Sequence, residues 1–89
     1  MVKMKNVDAK KLFKTLGKNV KYYRKLYNLK TGKMTQENLA EAVDVCTALI
    51  GNLESEKIEQ GVSVITLVKL SKALGVSIDD LLSPTHPKD

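Results

Sequence analysis

Few side chains in this sequence could carry covalent or metal chemistry. Its 89 residues hold one cysteine, Cys46, and one histidine, His86. A zinc site of the usual four-ligand kind cannot be assembled from that pair within one chain. A single cysteine makes no internal disulfide. The opening Met1-Val2-Lys3-Met4-Lys5 lacks the apolar stretch of a signal peptide, so the expected compartment is the reducing cytoplasm. No cluster suited to general acid–base work stands out. An enzyme is therefore disfavoured, and neither a cofactor nor a metal is expected.

The chemistry the chain does offer is charge. Residues 1–33 carry eleven Lys or Arg and one acid, Asp8, whereas residues 34–89 carry four and nine. The formal net charge of +5 conceals this split. A basic half suits a polyanion, nucleic acid first and an anionic membrane surface second. No run of about 20 apolar residues exists, so a membrane-spanning helix is excluded.

The elements that must position these charges are helices. A chain of this size holds one modest core and one domain. Residues 1–11 read as a basic N-terminal arm, and Asp8 is placed to N-cap a helix from Ala9. Leu12, Phe13, Leu16, Val20, Tyr23 and Tyr27 follow at steps of three and four, the spacing of an amphipathic helix. At about 100° per residue, Lys10, Lys14, Lys18, Lys21 and Lys25 fall within about 80° of one another on the opposite side. With no acidic partners to neutralise it, this stripe reads as a nucleic-acid contact. Arg24 instead lies at the edge of the apolar face, and a half-buried guanidinium needs a partner.

Asn28 to Lys33 break the pattern and read as a loop. Thr35 caps a second helix through Val43, Asp44 to Cys46 turn, and Thr47 opens a third helix with Ile50 and Leu53 inward. The third helix is expected to run on to about Gln60, with Gly61 as its stop. Ser63 caps a fourth helix, Val64 to Leu74, apolar nearly all round and so expected at the centre. Gly75 ends it. Ser77-Ile78-Asp79-Asp80 resembles a capping box and opens a fifth helix through Leu82, which Pro84 closes. The fold class is all-α with five helices. The domain spans 12–83, and 84–89 form a tail.

Two short helices joined by about three residues make a helix-turn-helix, here at about 35–55, whose second helix can enter a DNA major groove. Around it stand Leu16-Gly17-Lys18-Asn19-Val20, Arg24, Thr35-Gln36-Glu37-Asn38-Leu39-Ala40, Leu53-Glu54 and Leu70 to Leu82 with Gly75 and Ser77. In that order they closely resemble the phage-repressor and Cro-like helix-turn-helix family, over roughly Leu12 to Leu82. The resemblance implies a compact, lambda-repressor-like DNA-binding domain acting in transcription. It implies that Gln36 lies against the DNA backbone and braces the recognition helix. It implies that Thr47, Ala48 and Asn52 reach base edges, and that Arg24 pairs with Glu54. Lys57 and the N-termini of helices 2 and 3 are expected on phosphates.

Some positions depart from the family pattern. Asp44 stands where the turn often has Gly, and Cys46 stands at a cap usually filled by Ser or Thr. Cys46 is expected to pack inward. The recognition helix, Thr47-Ala48-Leu49-Ile50-Gly51-Asn52-Leu53, has no Lys or Arg, and Asn52 alone can make a bidentate pair with adenine. That chemistry predicts A·T-weighted and modest specificity. The expected partner is double-stranded DNA, bound by a homodimer, with repression the expected action and no ligand domain. The alternative reading is a protein-interaction or antitoxin-like module on the same fold, its Ala-Leu-Ile-Gly surface meeting protein.

Overall fold

Asp8 starts the longest helix by accepting hydrogen bonds from the backbone N–H groups of Lys10 and Lys11 at 3.0 and 3.4 Å. The computed structural model describes residues 8–84, and these form α1 (Ala9–Thr31), α2 (Gln36–Ala42), α3 (Thr47–Glu54), α4 (Val64–Leu74) and α5 (Ile78–Leu82). No strand occurs among the described residues. Part of the proposed arm, residues 1–7, lies outside them, as does His86; residues 9–11 form the first turn of α1.

Each later helix begins at a side-chain cap except one. Thr35 and Asn38 form a capping box at α2, and Ser77 and Asp80 form another at α5. Ser63 accepts from the Thr66 N–H at α4. Cys46 makes no cap hydrogen bond at α3. Two stops use glycine in the left-handed region, Gly32 after α1 (φ 68°) and Gly75 after α4 (φ 69°).

Three boundaries or placements differ from the sequence expectation. Helix α1 runs through residues 28–31, because nothing there breaks a helix until Gly32 donates its N–H back to the Asn28 carbonyl at 2.7 Å. Helix α3 stops at Glu54, with Ser55 extended, and does not reach Gln60. The next inward positions after Ile50 and Leu53 are Lys57 and Gln60, which bring no apolar surface to bury. Helix α4 is not central. Its first turn projects past the core, leaving Val64 76% and Ile65 67% exposed, and only Leu70, Ser71 and Leu74 are buried.

The centre belongs to α1, which packs against α3, α4 and α5. Its Leu16, Val20 and Tyr23 meet Leu39, Ala40 and Val43 of the α2 segment, Ile50 and Leu53 of α3, Leu70 and Leu74 of α4 and Leu81 of α5. Met34, from the α1–α2 loop, is also buried. Asn19 is a buried polar residue in the middle of α1. Its amide donates to the carbonyls of Leu81 and Ser83 at 2.7 Å each, with that of Asp80 at 3.2 Å. Those are the last carbonyls of α5, which have no partner within a five-residue helix.

Gly17 permits the closest approach in the core. A Cβ at this position would overlap the main-chain carbonyl of Leu53, a group that cannot swing aside. Backbone meets backbone there, and α1 and α3 are set at the separation a hydrogen atom allows. Gly17→Ala should therefore destabilise the fold by about 1–3 kcal/mol or more, despite the better helix propensity of alanine. Urea melts of the two proteins measure this; a variant as stable as the parent would contradict the contact.

Candidate nucleic-acid interface

The turn between α2 and α3 is built without glycine. Asp44 takes φ 58°, the left-handed region that a non-glycine residue enters at a cost. The Val45 N–H donates to the Ala40 carbonyl at 3.0 Å and the Asp44 N–H to the Glu41 carbonyl at 3.2 Å. This is the paired hydrogen-bond pattern of a Schellman closure, and it satisfies the end of α2 while turning the chain into α3.

Helix α3 buries Ile50, Leu53 and Glu54. The arc turned away from Ile50 and Leu53 holds Thr47, Ala48, Gly51 and Asn52, which share one side of the helix at about 100° per residue. Thr47 and Ala48 are exposed, and Gly51 and Asn52 are half-buried. The arc carries no charge, and its polar groups are the Thr47 hydroxyl and the Asn52 amide. Cys46, immediately before it, is exposed rather than packed inward. As an extended residue at the N-cap (ψ 150°), it points away from the core that begins at Ile50.

What fixes α3 is a carboxylate. The Arg24 guanidinium donates from Nε to Glu54 Oε2 at 2.7 Å and from Nη2 to Glu54 Oε1 at 2.9 Å. The side chains are 10% and 2% exposed. The third Arg24 nitrogen, Nη1, donates to the Met34 carbonyl at 3.2 Å. Gln36, the first residue of α2, donates from Nε2 to Glu54 Oε1 at 3.1 Å, with its side chain lying alongside Gly51. One carboxylate thus joins α1, α2 and α3, and Arg24 adds the loop between α1 and α2. Gln36 is half-buried, and its amide braces α3 from α2.

Lys57 is exposed in the segment after α3, its N–H donating to the Ser55 hydroxyl at 3.3 Å. The same segment corrects the reading of the α1 lysine stripe as free of acidic neighbours. Glu59 lies 2.9 Å from Lys10, and Glu56 lies 3.8 Å from Lys18. The hydrogen bond and charge of Glu59 hold the Lys10 ammonium above its ordinary pKa. These partners are distant in sequence, so the helical pattern of α1 alone could not reveal them.

Sequence reasoning missed the Asn19 anchor. The signal for Asn19 was its position on the helical wheel, at the margin of the apolar face beside Leu12 and Tyr23. For Gln36 the family resemblance implied a brace on the recognition helix, and the fold adds that the brace runs through the Glu54 carboxylate.

A capped helix, a Schellman turn and a second helix with an uncharged outward arc, locked to the body through a buried ion pair, define a helix-turn-helix DNA-binding domain. Residues 20–81 match the family model described as Helix-turn-helix, and the chain belongs to that family, of the Cro/C1 type. It is 38% identical over 68 residues to Control protein C.SmaI of Serratia marcescens, a stretch covering 76% of this chain and 73% of that protein. No solved structure matches it significantly. The chain is a DNA-binding transcriptional regulator, of a family that is not an enzyme family. Among the described residues no helix is long and apolar enough to cross a membrane.

The ion pair makes a measurable demand. Arg24→Met or Glu54→Leu alone should cost about 3–5 kcal/mol, because each strands a buried charge, while the double variant should cost far less. A double-mutant cycle on thermal melts gives the coupling, and additive single effects below about 1 kcal/mol would contradict it.

Proposed function

We propose that the chain is a repressor that reads palindromic duplex sites as a homodimer, with α3 in the major groove. The observation that carries this reading is the outward arc of α3, presented by a helix whose orientation is fixed through Glu54. Thr47 supplies a hydroxyl, Ala48 a methyl contact for thymine, and Asn52 the donor–acceptor pair that adenine accepts. Gln36 and Lys57 flank α3 on either side in sequence and contact phosphates, fixing register without reading bases. The free N–H groups at the uncapped start of α3 face the same anionic backbone. The resemblance to phage repressors supports the repressor role, and similarity to a control protein of Serratia marcescens supports regulation.

A homodimer follows from the weakness of a single reading head. One bidentate contact is worth roughly 1–3 kcal/mol of discrimination, too little to find one site among many. Two copies on half-sites about one helical turn apart double it. The exposed apolar pair Val64 and Ile65 at the start of α4 offers the surface for pairing.

Selection from random duplexes should return an inverted repeat rich in A·T. Asn52→Ala should flatten preference at one position of each half-site and leave nonspecific binding intact. Lys57→Ala should weaken all sequences alike and lower the salt slope by about 1. A selection without any motif, together with an inert Asn52→Ala, would sink base readout by α3. Separately, sedimentation should show Val64→Asp/Ile65→Asp shifted to monomer; an unchanged dimer would place the interface elsewhere.

A further inference from the structure

The outer face of α1 has no part in base readout by α3, yet it is the most basic surface described. A cleft of about 340 Å³ lies against it, walled by Lys18, Lys21, Tyr22 and Lys25 on one side and by Glu54 and Glu56 on the other. Of these acids, Glu54 is engaged by Arg24 and Gln36. Glu56 stands 3.8 Å from Lys18, with both side chains more than half exposed, a weak pairing in water. Lys21 and Lys25 have no ion pair among the described residues. They are four apart on one helix face and three and seven from Lys18, so their charges repel and each lowers helix stability.

The cleft has a definite place relative to the proposed interface. Its floor residue Glu54 receives the Gln36 amide, and its rim residue Glu56 precedes Lys57. It is therefore joined to Gln36 through the Glu54 carboxylate and is next to Lys57 along the chain.

We propose that Lys21 and Lys25, with Lys18 at the margin, form a second phosphate-contact surface that grips the DNA backbone beside the half-site read by α3. This rests on the reading of α3 as the groove-facing helix. The surface adds affinity for any sequence and carries no base information. It also accounts for a recognition helix devoid of Lys and Arg: the attraction for the polyanion sits on α1, and the outward arc of α3 is left free of charge.

The test is equilibrium binding, by fluorescence anisotropy, to a duplex selected by the parent protein and to a scrambled duplex, over about 50–200 mM salt. Lys21→Ala/Lys25→Ala should lower the slope of log K against log salt by about 2 on both duplexes and leave their affinity ratio unchanged. Lys69→Ala/Lys72→Ala removes the same charge from α4, where both side chains are exposed, and should leave the slope as it was. A slope kept by the α1 variant, or lowered equally by both variants, overturns the proposal. If the parent distinguishes the two duplexes while the α1 variant keeps its slope, this inference alone fails. If the parent treats both duplexes alike, the reading of α3 fails and takes this one with it.

Discussion

The orientation of α3 in this domain hangs on the carboxylate of Glu54. Eight residues are too few for a helix to be stable alone, so α3 takes its order from its surroundings. Ile50 and Leu53 provide burial, but apolar contact has no direction and would tolerate some rotation about the helix axis. The carboxylate supplies the direction. Its two oxygens accept from Arg24 and Gln36 on two other helices, with lengths of 2.7–3.1 Å. Removing both charges from water is costly, and such a pair adds little net stability over an apolar substitute. What it adds is a unique orientation, since a bidentate guanidinium fits a carboxylate in one plane.

The turn and the caps serve the same end by a different route. Asp44 holds the left-handed conformation that the hydrogen bonds of Val45 and Asp44 to the end of α2 require, and Asp enters that region more readily than most non-glycine residues. Cys46 leaves the first N–H groups of α3 without a side-chain partner, whereas the starts of α2, α4 and α5 are all closed by hydroxyls. The open helix start is thus the one turned outward beside Thr47 and Ala48. A strong cap there would compete with any external acceptor for the same hydrogens.

Much of this architecture is legible in the residues. Steps of three and four placed Leu16, Val20 and Tyr23 in the core, and Asp8, Thr35, Ser63 and Ser77 marked four helix starts through their capping chemistry. The wheel position of Arg24 pointed to a buried partner, which the fold supplies as Glu54. The shortfalls share a cause: each depends on what comes close in space. Residues 28–31 look loop-like by pattern, but a glycine stop lies beyond them. Val64 and Ile65 look like core by composition, but no element covers the first turn of α4. Glu56 and Glu59 approach α1 only because α3 ends early and returns the chain beside the lysines. For Thr47, Ala48 and Asn52, the sequence supplied the chemistry and the fold supplied the shared side of one helix.

The meeting of Gly17 with the Leu53 carbonyl bears on how this domain could change over time. Most helix spacings are set by side chains, whose rotamers and volumes drift as a core is rewritten. Here the spacing between α1 and α3 is a hard stop, peptide against Cα, with no rotamer to switch. Substitutions elsewhere in the core can loosen the protein without shifting the depth at which α3 sits. The outward arc of α3 can thereby explore new residues on a platform whose dimensions stay fixed.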